Sequence, residues 1–498
     1  MVESMSTETQ NLKQKAVIVG GGPTGFATAL MLAKRGWSEI TVLEKRLSAD
    51  FYEPDKSFNY LIDGRGQKFT DLLGLTEKLS KLGVPTTEFY LTEIKADGTC
   101  KTSKVPVVDS NRKTAYWLPR RAFLQLLYQE IEENWQNCIR VLFNTKCVEI
   151  DSRLEENLGE SKLTVIAEEI NNEKVVKLET NLLVGCDGIN SVVRETLDHW
   201  DNSGTDKFKM QLFPSASSGL KYKVLTLPPN FPLDNNKSER AVCTMAYAIR
   251  AAFTDSQRWL SLGILPFADP NERRTANIIR QPDHQIWKIE DGEQLSKFLE
   301  TAFPQLPIPE IVSPEESERF AKSEGGFFPI PQYCSGLHWL VSAKNYSSGV
   351  VLLGDAVHCF PPDIGQGVNS ALEDVCILNQ ALSQSNEIIS DALPLYQSWR
   401  SPDLKPLIRL AQTAFPWQYN QDILRKRLWM INFLIRLLLS RVLPFIFTPP
   451  AFILIQNHQL SYREIWNRTE KTTKILYLLL GLILVGSLLI LSFGYIIN

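Results

Sequence analysis

Ala16-Val17-Ile18-Val19-Gly20-Gly21-Gly22-Pro23-Thr24-Gly25 is the stretch whose reading decides the fold. Its first four residues form an apolar, largely β-branched run suited to a buried parallel strand, and residues 26–35 then read as a helix. Between them, Gly20, Gly22 and Gly25 keep the spacing Gly-x-Gly-x-x-Gly. The first glycine permits a tight turn, the second lets the main chain approach a pyrophosphate, and the third lets helix and strand pack closely, with the phosphates at the helix N-terminus. A second apolar strand, Ile40-Thr41-Val42-Leu43, ends on Glu44. That acid falls roughly 20 residues beyond the last glycine, where a carboxylate takes the ribose hydroxyls of an adenine dinucleotide. Strand, turn, helix and acid predict a dinucleotide-binding unit without deciding between FAD and NAD.

Two later turns decide it. Leu182-Leu183-Val184 leads into Gly185-Cys186-Asp187-Gly188, with Ser191 and Arg194 following, and Val350-Val351-Leu352-Leu353 leads into Gly354-Asp355-Ala356 and then Gly365-Gln366-Gly367. A nicotinamide dehydrogenase has no use for a second and third acidic-glycine turn after apolar strands, so the ordered set points to FAD.

On these motifs, and over roughly residues 14 to 390, the chain resembles the single-component, class A flavoprotein monooxygenases of the para-hydroxybenzoate hydroxylase fold. The turn Gly365-Gln366-Gly367-Val368-Asn369 and the stretch Ser57-Phe58-Asn59-Tyr60-Leu61-Ile62-Asp63-Gly64-Arg65-Gly66 are similar to the kynurenine-hydroxylating branch of that family. The resemblance implies that Asp355 holds the ribityl chain of FAD and that Gly365, Gly367, Val368 and Asn369 open a helix aimed at the flavin ring. Reduced flavin is anionic, and a helix N-terminus with free N–H groups and no Cβ in the way stabilises that charge. The resemblance also implies that Asp187 supports the flavin end or the nicotinamide cofactor. Arg121, with Arg120 beside it in the same turn, would open a helix near the FAD pyrophosphate; Arg46 and Val148 complete the implied cofactor set. His358 receives no proton-transfer duty and reads as a hydrogen-bonded structural residue, while Pro362 shapes the loop over the flavin. No catalytic side chain and no metal ligand is assigned.

The activity implied is hydroxylation of an aromatic or other electron-rich small molecule: NAD(P)H reduces FAD, O2 adds to give a C4a-hydroperoxide, and its distal oxygen is transferred. The single dinucleotide fingerprint agrees with an NAD(P)H co-substrate that has no Rossmann domain of its own. In the kynurenine-hydroxylating branch an arginine in the strand after the equivalent of Gly83-Val84-Pro85 grips the substrate carboxylate, but Thr86-Thr87-Glu88-Phe89-Tyr90-Leu91 contains none. Either another cation such as Arg112 serves, or the substrate is more apolar and dissolved in the membrane. The alternatives left open are an isoprenoid or quinone hydroxylase or epoxidase, a flavin-dependent dehydrogenase or reductase, and a non-catalytic FAD-binding membrane adaptor.

Composition bounds these expectations. The 498 residues allow two packed domains plus extra helices, and a net charge of -3 offers no footprint for nucleic acid. Eight cysteines are scattered singly without Cys-x-x-Cys, and only five histidines accompany them, which argues against a zinc site or a disulfide framework. Residues 1–14 are polar and read as no secretory signal. Residues 475–497 carry no charge and exceed the roughly 20 residues that span a bilayer core. Arg463, Arg468, Lys471 and Lys474 precede them, so the positive-inside rule predicts a tail anchor embedded in membrane lipid, with the catalytic part facing the cytoplasm. A second apolar stretch, residues 428–455, is broken by Pro444, Pro449 and Pro450 and reads as a membrane-surface helix or a pair packed on the catalytic part.

The expected fold is α/β: a Rossmann-like FAD-binding domain of residues 14–75, 112–195 and 345–390, and an inserted antiparallel-sheet substrate domain of residues 84–106 and 205–340. A C-terminal helical region spans 391–470 and a transmembrane helix 475–497. Strands are expected at Leu220-Lys221-Tyr222-Lys223-Val224-Leu225 and Ala241-Val242-Cys243-Thr244-Met245, with a hairpin turn at Asn171-Asn172-Glu173-Lys174.

Overall fold

The computed structural model describes residues 14–54, 58–86, 89–105, 113–155, 160–342, 347–419 and 422–497. Ser57 and Arg112, singled out above, lie outside them, as do residues 1–13. Lys15–Val19 runs inside a six-stranded sheet ordered His338–Ser342, Ser347–Leu352, Leu182–Gly185, Lys15–Val19, Glu39–Leu43 and Ile139–Leu142. Every neighbouring pair is parallel except the edge strand His338–Ser342. The register sets Val17 beside Leu183 and Leu183 beside Val350, so the three apolar runs that precede the glycine turns stand side by side. Their carboxyl ends present the Gly20, Asp187 and Asp355 turns along one edge, the place where open α/β sheets bind ligands. Ile18, Leu183, Val184 and Val351 are fully buried, as a parallel sheet covered on both faces requires. The helix Pro23–Lys34 starts on proline, whose missing N–H would have had no partner at that position, and residues 24–33 are all buried.

A second sheet of seven strands is ordered Gly326–Phe327, Lys221–Leu227, Arg274–Arg280, Ser261–Ile264, Ala246–Arg250, Phe89–Ile94 and Cys100–Val105. It is antiparallel except where Ala246–Arg250 runs parallel to Phe89–Ile94. One face packs on Leu295, Leu299 and Phe303, making a core separate from that of the first sheet. Two expectations need correction here. Residues 241–245 form a turn, with the Met245 N–H on the Val242 carbonyl; the Val242 N–H is taken by the Tyr247 hydroxyl, and the Val242 and Met245 carbonyls accept from Arg274, so these groups are satisfied by a turn and by side chains rather than by a strand ladder. Val84–Thr86 pairs with Ala115–Pro119 beside Asn59–Ile62, and the chain enters the seven-stranded sheet only at Phe89. The hairpin is present: Glu169 pairs with Lys174, and Glu173 takes a positive φ of 54° in the turn.

The C-terminal region carries two exposed apolar features. In the helix Ile423–Val442 only Ser440 is buried, which leaves Leu428, Ile431, Leu434 and Leu438 exposed. The helix Tyr462–Ile497 begins well before the predicted span, and within residues 462–489 it holds an 18-residue window with a mean hydropathy of 2.0, long and apolar enough to cross a membrane. Its base differs from the rest. Tyr462, Ile465 and Thr472 are buried against the protein, whereas Leu478, Ile483 and Leu488 are exposed.

That base meets a buried ionic cluster behind the first sheet. The helix Gly367–Gln384 supplies Glu373 and Asp374, and the helix Ile389–Thr413 supplies Arg400. Arg400 donates to Asp374 Oδ1 at 2.6 Å and to Glu373 Oε2 at 3.0 Å; Arg65 donates to Glu373 Oε1; and Asp374 Oδ2 meets His358 Nε2 at 2.8 Å. The Gly354 N–H also donates to Asp374 Oδ2, at 2.7 Å. Burial alone would raise the Asp374 carboxyl, but Arg400 and then His358 hold it below the usual range. His358 thus has the structural role expected of it. Arg65 lies 4.1 Å from the centre of the Tyr462 ring, which ties the C-terminal helix to the cluster. Removing one member of such a cluster strands the opposite charge in a dry interior, at a cost of about 3–5 kcal/mol. Arg400→Met is therefore expected to lower the thermal unfolding midpoint of the detergent-solubilised full chain markedly, whereas Lys81→Met, which removes an exposed Glu77 pair, is expected to leave it nearly unchanged.

Candidate functional site

A cavity of about 1840 Å³ runs from the carboxyl edge of the six-stranded sheet to the face of the seven-stranded one. It exceeds the usual few hundred to about 1,000 Å³ of a single small-ligand site, and has room for a dinucleotide and a second molecule. At its sheet end the main chain is kept close by glycine. A Cβ on Gly20, whose φ is +102°, would fall 2.3 Å from the Cys186 carbonyl oxygen; one on Gly25 would fall 1.8 Å from the Gly20 oxygen. Gly22, Gly365 and Gly367 line the cavity, and a Cβ on any of them would meet nothing within 4 Å. Open space at these three positions is what a ligand lying against bare backbone requires.

The polar groups converge on the same space. Glu44 is buried; its Oε2 accepts the Gly21 N–H and its Oε1 the Arg46 N–H, each at 2.8 Å, which fixes the carboxylate at the end of its strand. Glu53 holds the Arg46 guanidinium and lies 3.9 Å from Arg120. Asp187 Oδ2 accepts the Val193 N–H at 3.2 Å, while its Oδ1 is buried without a partner among the described residues. Asp355 is exposed to the cavity, and the protein around that concave wall pushes its carboxyl up. Burial likewise raises the Tyr60 phenol, against the pull of nearby Arg120. The helix Gly367–Gln384 enters with Gly367 and Val368 on the cavity wall, so its free N–H groups face the same volume.

Gly20, Gly22, Glu44, Arg46, Asp187, Asp355, Gly365, Gly367 and Val368 are thus gathered around one cavity. Gly25 lies just behind it, in the helix–strand contact. Three expected residues stand elsewhere. Arg121 is exposed and outside the cavity lining, and Arg120 takes the place expected of it, because successive residues at a helix start point about 100° apart. Val148 is 41% exposed, while its neighbour Cys147 faces inward, as strand alternation dictates. Asn369 is buried away from the lining: its Nδ2 donates to the Leu61 and Gly365 carbonyls and its Oδ1 accepts the Asp63 N–H, so it clamps the helix to the strand Asn59–Ile62.

The far wall was not legible in the sequence. Arg250, Trp259 and Arg280 come from or beside the seven-stranded sheet, and Ile423, Lys426 and Met430 from the apolar helix Ile423–Val442. No motif marks them; the only signal was their placement in strands and in an apolar segment with interspersed cations.

Residues 13–224 and 337–403 match the family described as an FAD binding domain. Kynurenine 3-monooxygenase of Anopheles gambiae is 24% identical over 471 residues, covering 92% of this chain and 86% of that protein. Violacein synthase of Chromobacterium violaceum is 25% identical over 417 residues, covering 81% and 85%. Among solved structures, pqsL, a probable FAD-dependent monooxygenase from Pseudomonas aeruginosa, superposes with a TM-score of 0.53 at 20% identity, covering 84% of this chain and 99% of that one. The structural likeness is one of fold.

Asp363, in the loop before Gly365, has Oδ1 bonded to Ser217 Oγ at 2.7 Å and Oδ2 buried without a partner among the described residues. Burial pushes its carboxyl up to about 7. Above the unfolded-state value the unfolded chain ionises while the folded one keeps its proton, so this residue lowers stability progressively as pH rises from about 4 to about 7. Asp363→Asn should flatten that part of the profile and raise the unfolding midpoint at pH 8 relative to the parent, read from melting curves across the range.

Proposed function

The chain belongs to the FAD binding domain family and is an FAD-dependent monooxygenase; from that premise we propose that it uses NAD(P)H and O2 to hydroxylate an aromatic small molecule beneath the carboxyl edge of the six-stranded sheet. The observation that carries this reading is the convergence of three parallel-strand ends and one helix N-terminus on a single cavity large enough for FAD and a substrate. The residues present fit the cofactor. Gly20 and Gly22, at the start of Pro23–Lys34, would receive the pyrophosphate, Glu44 the adenosine ribose, Asp355 the ribityl chain, and the N–H groups of Gly367 and Val368 the anionic edge of the ring. When bound, FAD supplies hydride acceptance from the nicotinamide and reductive activation of O2. The protein's own contribution is to orient the substrate, to keep water out of an apolar chamber and to place positive potential where negative charge develops. Arg120, fixed near Glu53, and Tyr60, whose phenol stays protonated, line that chamber.

The C-terminal helix extends this proposal. Its span beyond the buried base, together with the preceding Arg463, Arg468, Lys471 and Lys474, supports insertion of the tail into a membrane with the catalytic part on the cytoplasmic side. Kynurenine is the first substrate to try, on the strength of the relatives' names.

The test is NADPH oxidation by the purified, detergent-solubilised chain with and without L-kynurenine, with mass spectrometry for a gain of one oxygen. Stimulated oxidation with that gain is expected; oxidation without oxygen incorporation into any aromatic acceptor would instead establish a reductase. Asp355→Ala is expected to purify without yellow colour while remaining in the membrane fraction, and a flavin-replete variant would refute the role given to Asp355. Deleting residues 474–498 should move most of the protein to the soluble fraction, and continued sedimentation would transfer the anchor to Ile423–Val442.

A further inference from the structure

Arg280 ends the strand Arg274–Arg280 and lines the cavity on the wall opposite the glycine turns, yet it is only 3% exposed. Its Nε has no hydrogen-bond partner, and no carboxylate lies within ion-pair distance of the guanidinium among the described residues. A dry guanidinium is costly unless an anion meets it, so buried arginines are ordinarily paired. The surroundings add positive charge. Arg250 lies close to Arg280 and is itself paired with Glu93 at 2.8 Å, Lys426 from the helix Ile423–Val442 lies near Arg250 and Glu93, and Asp283 and Asp255 lie on the side of His284. Burial, followed by Arg250, pushes Arg280 down to about 9, and burial with Arg280 pushes neighbouring His284 down to about 4, so His284 is neutral at pH 7. Arg280 stacks over the Trp259 ring at 4.3 Å from its centre, which leaves the edge of the guanidinium as its donor surface.

We infer that Arg280, seated on Trp259 beside Arg250, is the carboxylate-binding subsite for the substrate, which is therefore an aromatic acid. A planar carboxylate matches the guanidinium edge with two parallel hydrogen bonds, and Trp259 with Phe253 offers aromatic surface to the rest of the molecule. The arginine missing from residues 86–91 is replaced, on this reading, by one from a different strand of the same sheet. The inference rests on the monooxygenase reading and names the substrate class for it.

The test uses the FAD-loaded full chain in detergent, with binding read from the perturbation of the flavin visible spectrum. The probes are L-kynurenine and kynuramine, which keeps the aromatic ketone and lacks the carboxylate. The parent is expected to bind L-kynurenine at least about tenfold more tightly than kynuramine, a comparison that needs no variant. Arg280→Met is expected to keep its FAD, to lose about tenfold to a hundredfold in affinity for L-kynurenine and to show little change for kynuramine, with Arg280→Lys recovering part of the loss. Equal binding of the two probes by the parent, or undiminished L-kynurenine binding by Arg280→Met, overturns the subsite. NADPH oxidation with oxygen incorporated into another aromatic acceptor would leave the monooxygenase reading standing in that event. Competition by inorganic phosphate, or a variant whose defect is loss of binding to phosphatidylserine vesicles with kynurenine binding intact, assigns Arg280 to a phosphate or lipid headgroup and likewise overturns the proposal.

Discussion

Asp374 is the charge on which the candidate site depends. Its carboxylate, fully buried, accepts from Arg400, meets His358 and takes the N–H of Gly354, the residue before Asp355. Gly354 itself has a positive φ of 62° and no room for a side chain, since a Cβ would lie 2.6 Å from Thr24 Oγ1. A tight turn with no side-chain freedom and an anchored N–H holds Asp355 at the cavity wall, and Arg400, then His358, offset the burial of the anchor and hold its carboxyl low. The geometry of the turn thus follows from an ion pair outside the cavity.

The same cluster joins the site to the segment read as a membrane anchor. Glu373 bridges Arg400 and Arg65, and Arg65 donates to the Leu460 carbonyl beneath Tyr462. Tyr462 donates to Gln366 Oε1 at 2.8 Å, and Gln366 Nε2 donates to Asp63 Oδ2 at 2.7 Å, so the first turn of the C-terminal helix is hydrogen-bonded to the residue that caps Gly367–Gln384. The C-terminal helix and Gly367–Gln384 therefore keep a fixed position relative to the cavity. The helix Ile423–Val442, apolar with interspersed cations, contributes Ile423, Lys426 and Met430 to the wall, and its Arg436 donates to Thr473 Oγ1 of the C-terminal helix at 3.0 Å.

The two ends of the cavity carry different electrostatics. At the sheet end, the carboxyl groups of Glu44 and Asp355 stand beside helix N-termini and Arg46, an arrangement of donors and acceptors suited to a dinucleotide with both hydroxyls and phosphates. At the far end Arg250, Arg280 and Lys426 gather, with Arg250 paired to Glu93 and Asp283 and Asp255 lying on the side of His284. That wall is built from strands and a helix far apart in sequence.

Much of the first end was legible in the chain because its elements are local: an apolar run, a glycine turn and an acid at set spacing dictate strand, loop and helix whatever lies around them. The side-by-side alignment of residues 16–19, 182–185 and 349–352 follows from the same runs, since each must be buried on both faces. Asn369, Arg121 and Val148 stand off the cavity lining, because helix phase and strand alternation decide which of two neighbours faces a cavity, and a shift of one residue reverses the answer. The turn at residues 241–245 was hidden because Arg274 and Tyr247, distant in sequence, satisfy its backbone. The sequence alone determined the nucleotide fold and the apolar tail, both written in local periodicity. Tertiary structure alone decided the Asp374 cluster and the unpaired Arg280, because burial and partnering of a charge depend on what packs against it and leave no mark in the spacing of residues.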